Sequence, residues 1–141
     1  MIMNEKTFSL SADEKNSLRE KIAKSLEKRE EVIFAYLYGS FLDGLPFHDI
    51  DVGVFLSGVS PGQATDFSLE LGSELGAGLK IPVDVRVLNF APVTFSYHVI
   101  RGELIVEKNS DTRCDFVEKV VCRYLDLKPR IRRAMKEAFG S

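Results

Sequence analysis

The sequence predicts an α+β domain in which one small sheet is flanked by helices. Three observations carry this. Four short runs rich in Val, Ile and aromatic residues are bounded by glycine, proline or charge, as strands are. The stretches around them repeat apolar residues at helical spacing or open with helix-start signals. The two kinds alternate along the whole chain with no internal repeat, low-complexity segment or linker, an order that builds one layered core. A length of 141 residues suits one such domain, expected to span 1–141 with a core at about 11–127 and a helical tail at 128–141.

Ser11-Ala12-Asp13-Glu14 has the form of a capping box, and Leu18, Ile22 and Leu26 then recur every four residues, so a first helix is expected from about 11 to 29. Residues 31–38 read as a buried strand. Residues 39–48 are punctuated by glycine and proline and leave room for one short helix near Ser40. Residues 49–56 form the second strand. Ser60 caps the next helix with Pro61 at its first position. Phe67, Leu71 and Leu75 give that helix an apolar face, and Gly76 with Gly78 should end it. In 82–88, Val83, Val85 and Val87 alternate with Asp84 and Arg86, the period of a half-buried strand. A short helix at 91–101 and a short strand at 103–107 follow. From about Thr112, Phe116, Val117, Val120, Val121, Tyr124 and Leu125 mark a long helix that Pro129 should kink or restart.

Composition narrows the function. Hydrophobic residues at 45% and charged residues at 28% are those of an ordinary soluble domain, expected in the cytoplasm. A net charge of −2 supplies no general attraction to nucleic acid or an acidic membrane, so any polyanion needs a local site or a metal. No apolar run is long enough to span a bilayer, and residues 1–9 lack the pattern of a secretion signal. Cys114 and Cys122 lie eight apart in a helical pattern, too far for a bridge between neighbouring turns, and read as reduced thiols.

The informative segment is residues 38–52. Gly39 directly follows a strand, where a backbone without Cβ can approach a ligand closely. Ser40 opens a helix, whose first N–H groups suit phosphate. Asp49 and Asp51 stand two apart at the start of a strand, so both carboxylates point to one face. Two like charges there raise a pKa unless a cation compensates, and Mg²⁺ is usually held by one or two carboxylates plus substrate phosphates. Asp84 is the acidic residue of another apolar strand. If that strand lies beside the first, three carboxylates converge, an arrangement able to hold two metals.

This pattern of Gly39-Ser40, then Asp49-Ile50-Asp51, then Asp84 resembles the minimal nucleotidyltransferase family of the polymerase beta superfamily. Within it, the pattern is similar to the MntA-like antitoxins of HEPN/MNT toxin–antitoxin pairs. Residues 83–92, Arg101-Gly102-Glu103-Leu104-Ile105 and the aromatic-rich last helix carry the likeness onward, so that it covers roughly 10–127. The resemblance implies the palm-like nucleotidyltransferase fold with a small mixed sheet flanked by helices. It also implies transfer of AMP from ATP to a tyrosine hydroxyl of a partner HEPN toxin, with Mg²⁺ as cofactor. Asp49 and Asp51 would bind metal. Asp84 would be metal ligand and general base, and Gly39 and Ser40 would hold phosphates. Two departures stand out. The spacer between Gly-Ser and Asp-x-Asp, Phe41 to His48, is shorter than is usual in the family, and Asp43 stands where many members are basic. Two other functions fit the same fold: an antitoxin that neutralises its toxin by contact alone, or a transferase for a small-molecule acceptor.

Plainer readings exist for each residue. Asp49 and Asp51 could keep a strand start soluble, Asp84 could pair with Arg86, and Ser40 could be only a helix cap. His48 reads as a loop histidine and His98 as structural. Lys128, Arg130, Arg132, Arg133 and Lys136 read as a solvated helix face, and Phe116, Val120 and Tyr124 as core.

Overall fold

Ser11 and Glu14 close the predicted capping box in the computed structural model, which describes residues 7–139. The Glu14 N–H donates to Ser11 Oγ (3.2 Å) and the Ser11 N–H to Glu14 Oε1 (3.1 Å), opening helix α1 (Ala12–Glu27). Strand β1 (Val32–Tyr38) leads into a short 3₁₀ helix (Ser40–Asp43) and then strand β2 (Ile50–Leu56). A second capping box, Ser60 with Gln63, starts helix α2 (Pro61–Leu79). Strand β3 (Val83–Val87), helix α3 (Val93–Ile100), strand β4 (Glu103–Glu107) and helix α4 (Ser110–Phe139) complete the chain.

The strands lie in the order β3-β2-β1-β4, with β2 and β3 parallel across the α2 crossover and the other pairs antiparallel. This is the mixed sheet expected from the sequence. Strand side chains alternate between faces, and each face meets its own helices. Ala35, Leu37, Ile50, Val52, Val54 and Val85 pack on α1 and α2 through Ile22, Leu26, Phe67, Leu71 and Leu75. Phe34, Tyr36, Tyr38 and Leu88 pack on Val99, Phe95 and Phe116 of α3 and α4. Phe116 packs against the stacked pair Phe34 (5.5 Å) and Phe55 (5.2 Å), Val120 is buried, and Tyr124 stacks on Tyr97 at 3.7 Å, so that stripe is core, as expected.

Four expectations need correction. Gly76 and Gly78 do not end α2, which runs to Leu79 and stops at Lys80 in the left-handed conformation (φ 59°). Gly72 serves packing: a Cβ on it would sit 3.0 Å from the Val83 carbonyl, so the missing side chain lets α2 lie close on β3. Asp49 lies one residue before β2 rather than inside it. Ser40 is not a cap; Gly39 occupies that position and no side chain caps the 3₁₀ helix. Helix α4 passes through Pro129 without restarting. Cys114 and Cys122 are free and exposed. Among the described residues no helix is long and apolar enough to cross a membrane. Residues 1–6 and 140–141 of the expected 1–141 domain lie outside the described residues.

The two roles of the α2 glycines predict opposite signs. Gly72→Ala should destabilise by about 1–3 kcal/mol, because the collision with backbone outweighs alanine's better helix propensity. Gly78, with nothing within 4 Å of an added methyl, should gain about 0.5–1 kcal/mol on the same change. Urea denaturation of both variants measures this. Equal effects at the two positions would refute the packing role.

Candidate active site

The site forms where β1 ends. Gly39 has φ 85° and ψ −161°, a region essentially confined to glycine, and turns the chain sharply off the strand. A Cβ there would collide with Asp51 Oδ2, so the turn and that carboxylate are in direct contact. The 3₁₀ helix that follows is fastened from below. Lys15 of α1 donates through Nζ to the Phe41 carbonyl (2.7 Å), and Phe41 itself is fully buried against Phe47 (5.1 Å). Phe47 in turn exchanges backbone bonds with Phe8 (2.7 and 3.0 Å), which fixes the loop that delivers Asp49.

Register sets the rest. Tyr38 of β1 pairs with Asp51 of β2, and Asp51 pairs with Asp84 of β3. Paired residues share a face, so Tyr38, Asp51 and Asp84 form one row across three strands, with Asp49 just upstream. Their charges are felt: the Asp51 carboxyl is pushed up to about 6, by burial first and then by the Asp49 and Asp84 charges, with Arg86 opposing. The Tyr38 hydroxyl is likewise pushed up, by burial first and then by Asp51 and Asp84.

Asp84 is also tied to Arg86, whose Nε donates to both carboxylate oxygens (3.3 and 3.2 Å). This bond holds the Arg86 guanidinium charged more firmly than usual. Asp84 thus pairs with Arg86 and stands in register with Asp51. As the side chains stand, no three His, Cys, Asp or Glu groups among the described residues are gathered into a metal-binding cluster. The donor set nonetheless suits a hard divalent cation: it consists of carboxylate oxygens, and one of them, on Asp51, resists ionising because it is buried beside two like charges.

A profile of the family described as polymerase beta, nucleotidyltransferase, matches residues 20–111, a span that holds Gly39, Ser40, Asp49, Asp51 and Asp84. The chain belongs to this nucleotidyltransferase family. Among the solved structures that share its fold are three toxin–antitoxin complexes. One is described as an MNT antitoxin in complex with the tri-AMPylated HEPN toxin of Shewanella oneidensis. It is 20% identical, with 89% of this chain and 99% of that one covered and a TM-score of 0.71. Another is a MntA–HepT toxin–antitoxin structure (20% identity, 89% and 99% covered, TM-score 0.69). A third is a toxin–antitoxin structure with AMP-PNP (21%, 86% and 98%, TM-score 0.72). At such identities the likeness is one of fold. No curated protein matches the sequence.

Sequence reasoning missed two residues that the structure brings to this candidate site. Tyr38 reads as the last residue of a buried strand, yet it sits in the carboxylate row, a position that only register reveals. His98, read as structural, is exposed and stands edge-on to Tyr38 at 5.6 Å, beside Arg101 at the mouth of the Gly39 turn. His48 is exposed in its loop. The basic cluster from Lys128 to Lys136 is exposed throughout, as a solvated face should be.

Proposed function

We propose that this chain is a Mg²⁺-dependent nucleotidyltransferase that moves AMP from ATP to a tyrosine hydroxyl of a partner HEPN-domain toxin, and so acts as its antitoxin. The observation that carries the proposal is the row of Asp51 beside Asp84, pressed against the Gly39 turn. In this reading Asp49 and Asp51 hold the metal and Asp84 is both ligand and general base. Gly39 and Ser40 hold the β- and γ-phosphates. The acceptor oxygen attacks the α-phosphorus, the bond from that phosphorus to the bridging oxygen breaks, and pyrophosphate leaves. The acceptor proton passes to Asp84, whose carboxylate Arg86 keeps in place. Bound Mg²⁺ supplies charge neutralisation of the phosphates, the main requirement of phosphoryl transfer. The complexes formed by the fold relatives, with an AMPylated HEPN toxin and with AMP-PNP, support the choice of nucleotide and partner. We propose further that residues 1–141 act as one cytoplasmic domain.

The contact-only antitoxin is the second reading, favoured by the hold of Arg86 on Asp84. One experiment separates them. The protein is incubated with base-labelled ATP, CTP, GTP or UTP, Mg²⁺ and the product of the adjacent gene. The expected result is AMP on a tyrosine of that product, lost with EDTA and lowered about 10²–10³-fold by Asp49→Asn. A tight complex that never takes up label, and that Asp49→Asn leaves intact, would establish neutralisation by contact.

A further inference from the structure

We propose that Arg101 is the cationic clamp for the triphosphate, gripping the β- and γ-phosphates from the side opposite the carboxylates. The inference rests on the nucleotidyl-transfer reading and adds a residue that the Gly-Ser and Asp signature does not contain.

A recess of about 280 Å³ opens directly on the Gly39 turn, and Tyr38, Asp43, His98 and Arg101 share its wall with Gly39. Arg101 reaches it because of its neighbour. A Cβ on Gly102 would collide with the Leu37 carbonyl, so the α3–β4 turn lies flush against the end of β1 and delivers Arg101 beside Gly39. The position suits a cation in its own right, since Arg101 is the C-cap of α3, the negative end of that helix. Its guanidinium lies over the Tyr97 ring (5.7 Å), and Tyr97 is stacked on Tyr124 of α4 (3.7 Å, 3° between planes). The group therefore rests on a platform fixed by two helices.

Charge accounting singles it out. A triphosphate arriving here meets three carboxylates on one side. The turn offers only backbone N–H groups and the Ser40 hydroxyl, and Asp43 stands where a basic residue could have served. The other cations around the turn are engaged: Lys15 on the Phe41 carbonyl, Arg19 on Glu103 (2.8 Å) and Arg86 on Asp84. Arg101 has no carboxylate within 4 Å among the described residues, although Asp43 lines the same recess. A guanidinium presents five donors in a planar fork that matches two phosphate oxygens at once.

Binding of Mg²⁺ with AMP-PNP, compared with binding of AMP, tests the clamp by calorimetry. Arg101→Ala should weaken AMP-PNP about 10- to 100-fold and leave AMP within twofold, because only the longer tail reaches the recess. Arg101→Lys, which keeps the charge but loses the fork, should fall between. Asp43→Asn, which removes a like charge from the recess, should tighten AMP-PNP. Arg123→Ala, exposed on α4, should do nothing. Wild-type affinity in a folded Arg101→Ala variant overturns the clamp and leaves the transferase reading standing, as does an equal loss for AMP and AMP-PNP. A wild-type protein that binds no nucleotide with Mg²⁺ overturns both.

Discussion

Asp51→Asn is expected to lower nucleotidyl transfer by about 10³-fold or more, while making the metal-free protein more stable above pH 6. The two effects have one cause. Asp51 lies in a half-buried row with Asp84 beside it and Asp49 two residues upstream, and its carboxyl is pushed up to about 6. A folded-state pKa above the unfolded one means that folding favours the protonated form. The penalty for ionising Asp51 is thus absent below the ordinary carboxylate range, grows as the pH climbs towards 6, and is complete above it. Asparagine keeps the shape and removes the charge. In EDTA at pH 8 the variant should melt about 3–5 °C higher than wild type, allowing about 1 kcal/mol once solvent screening of a partly exposed group is discounted. At pH 3, below the ordinary carboxylate range, the two should melt together. Adding Mg²⁺ should raise the wild-type midpoint and leave that of Asp51→Asn nearly unmoved, since ligand binding stabilises only the state that binds. Retained turnover, or a variant that melts lower than wild type in EDTA at pH 8, would remove Asp51 from the metal role.

Much of the fold was legible because its signals are local. Each capping box is written within four residues, and each apolar period within one element, so α1 and α2 announce themselves in Ser11, Ser60 and the Leu18-Ile22-Leu26 ladder. The carboxylates were legible for a different reason: Asp51 is an acid in an otherwise apolar strand, a local contradiction, and Asp84 is the one acid of a strand whose other charge is Arg86. What escaped depends on neighbours from other elements. Gly76 and Gly78 look like a helix stop, yet α2 runs past both to Leu79, and Gly76 is found lying against the Ile81 carbonyl that leads into β3. Tyr38 looks like core until the register places it beside Asp51. Arg101 looks like any charge before a turn until Gly102 is seen pressed on the Leu37 carbonyl. In each case the deciding atom is a backbone or side-chain group from another element, which no short window of sequence contains.

Gly39→Ala is expected to lower stability by about 3 kcal/mol or more and to abolish transfer. Two terms add. At φ 85° and ψ −161° a Cβ is strained before any neighbour is considered, by about 1–3 kcal/mol. The same Cβ then meets Asp51 Oδ2, and relief requires moving either the turn or the carboxylate. Moving the carboxylate displaces the proposed metal ligand, and misplacement by about 1 Å is enough to lower turnover about 10²-fold. Moving the turn shifts Ser40 and the Lys15-anchored 3₁₀ helix behind it. Gly44 is the control. It closes the same 3₁₀ helix in the ordinary left-handed region (φ 74°, ψ 2°), and nothing lies within 4 Å of an added methyl. Gly44→Asn, a residue that tolerates that conformation, should lose less than about 1 kcal/mol and keep its activity. Thermal melts and labelled-AMP transfer on both variants decide the matter. If Gly39→Ala behaves like Gly44→Asn, the turn is ordinary punctuation, and the contact between Gly39 and Asp51 has no bearing on chemistry.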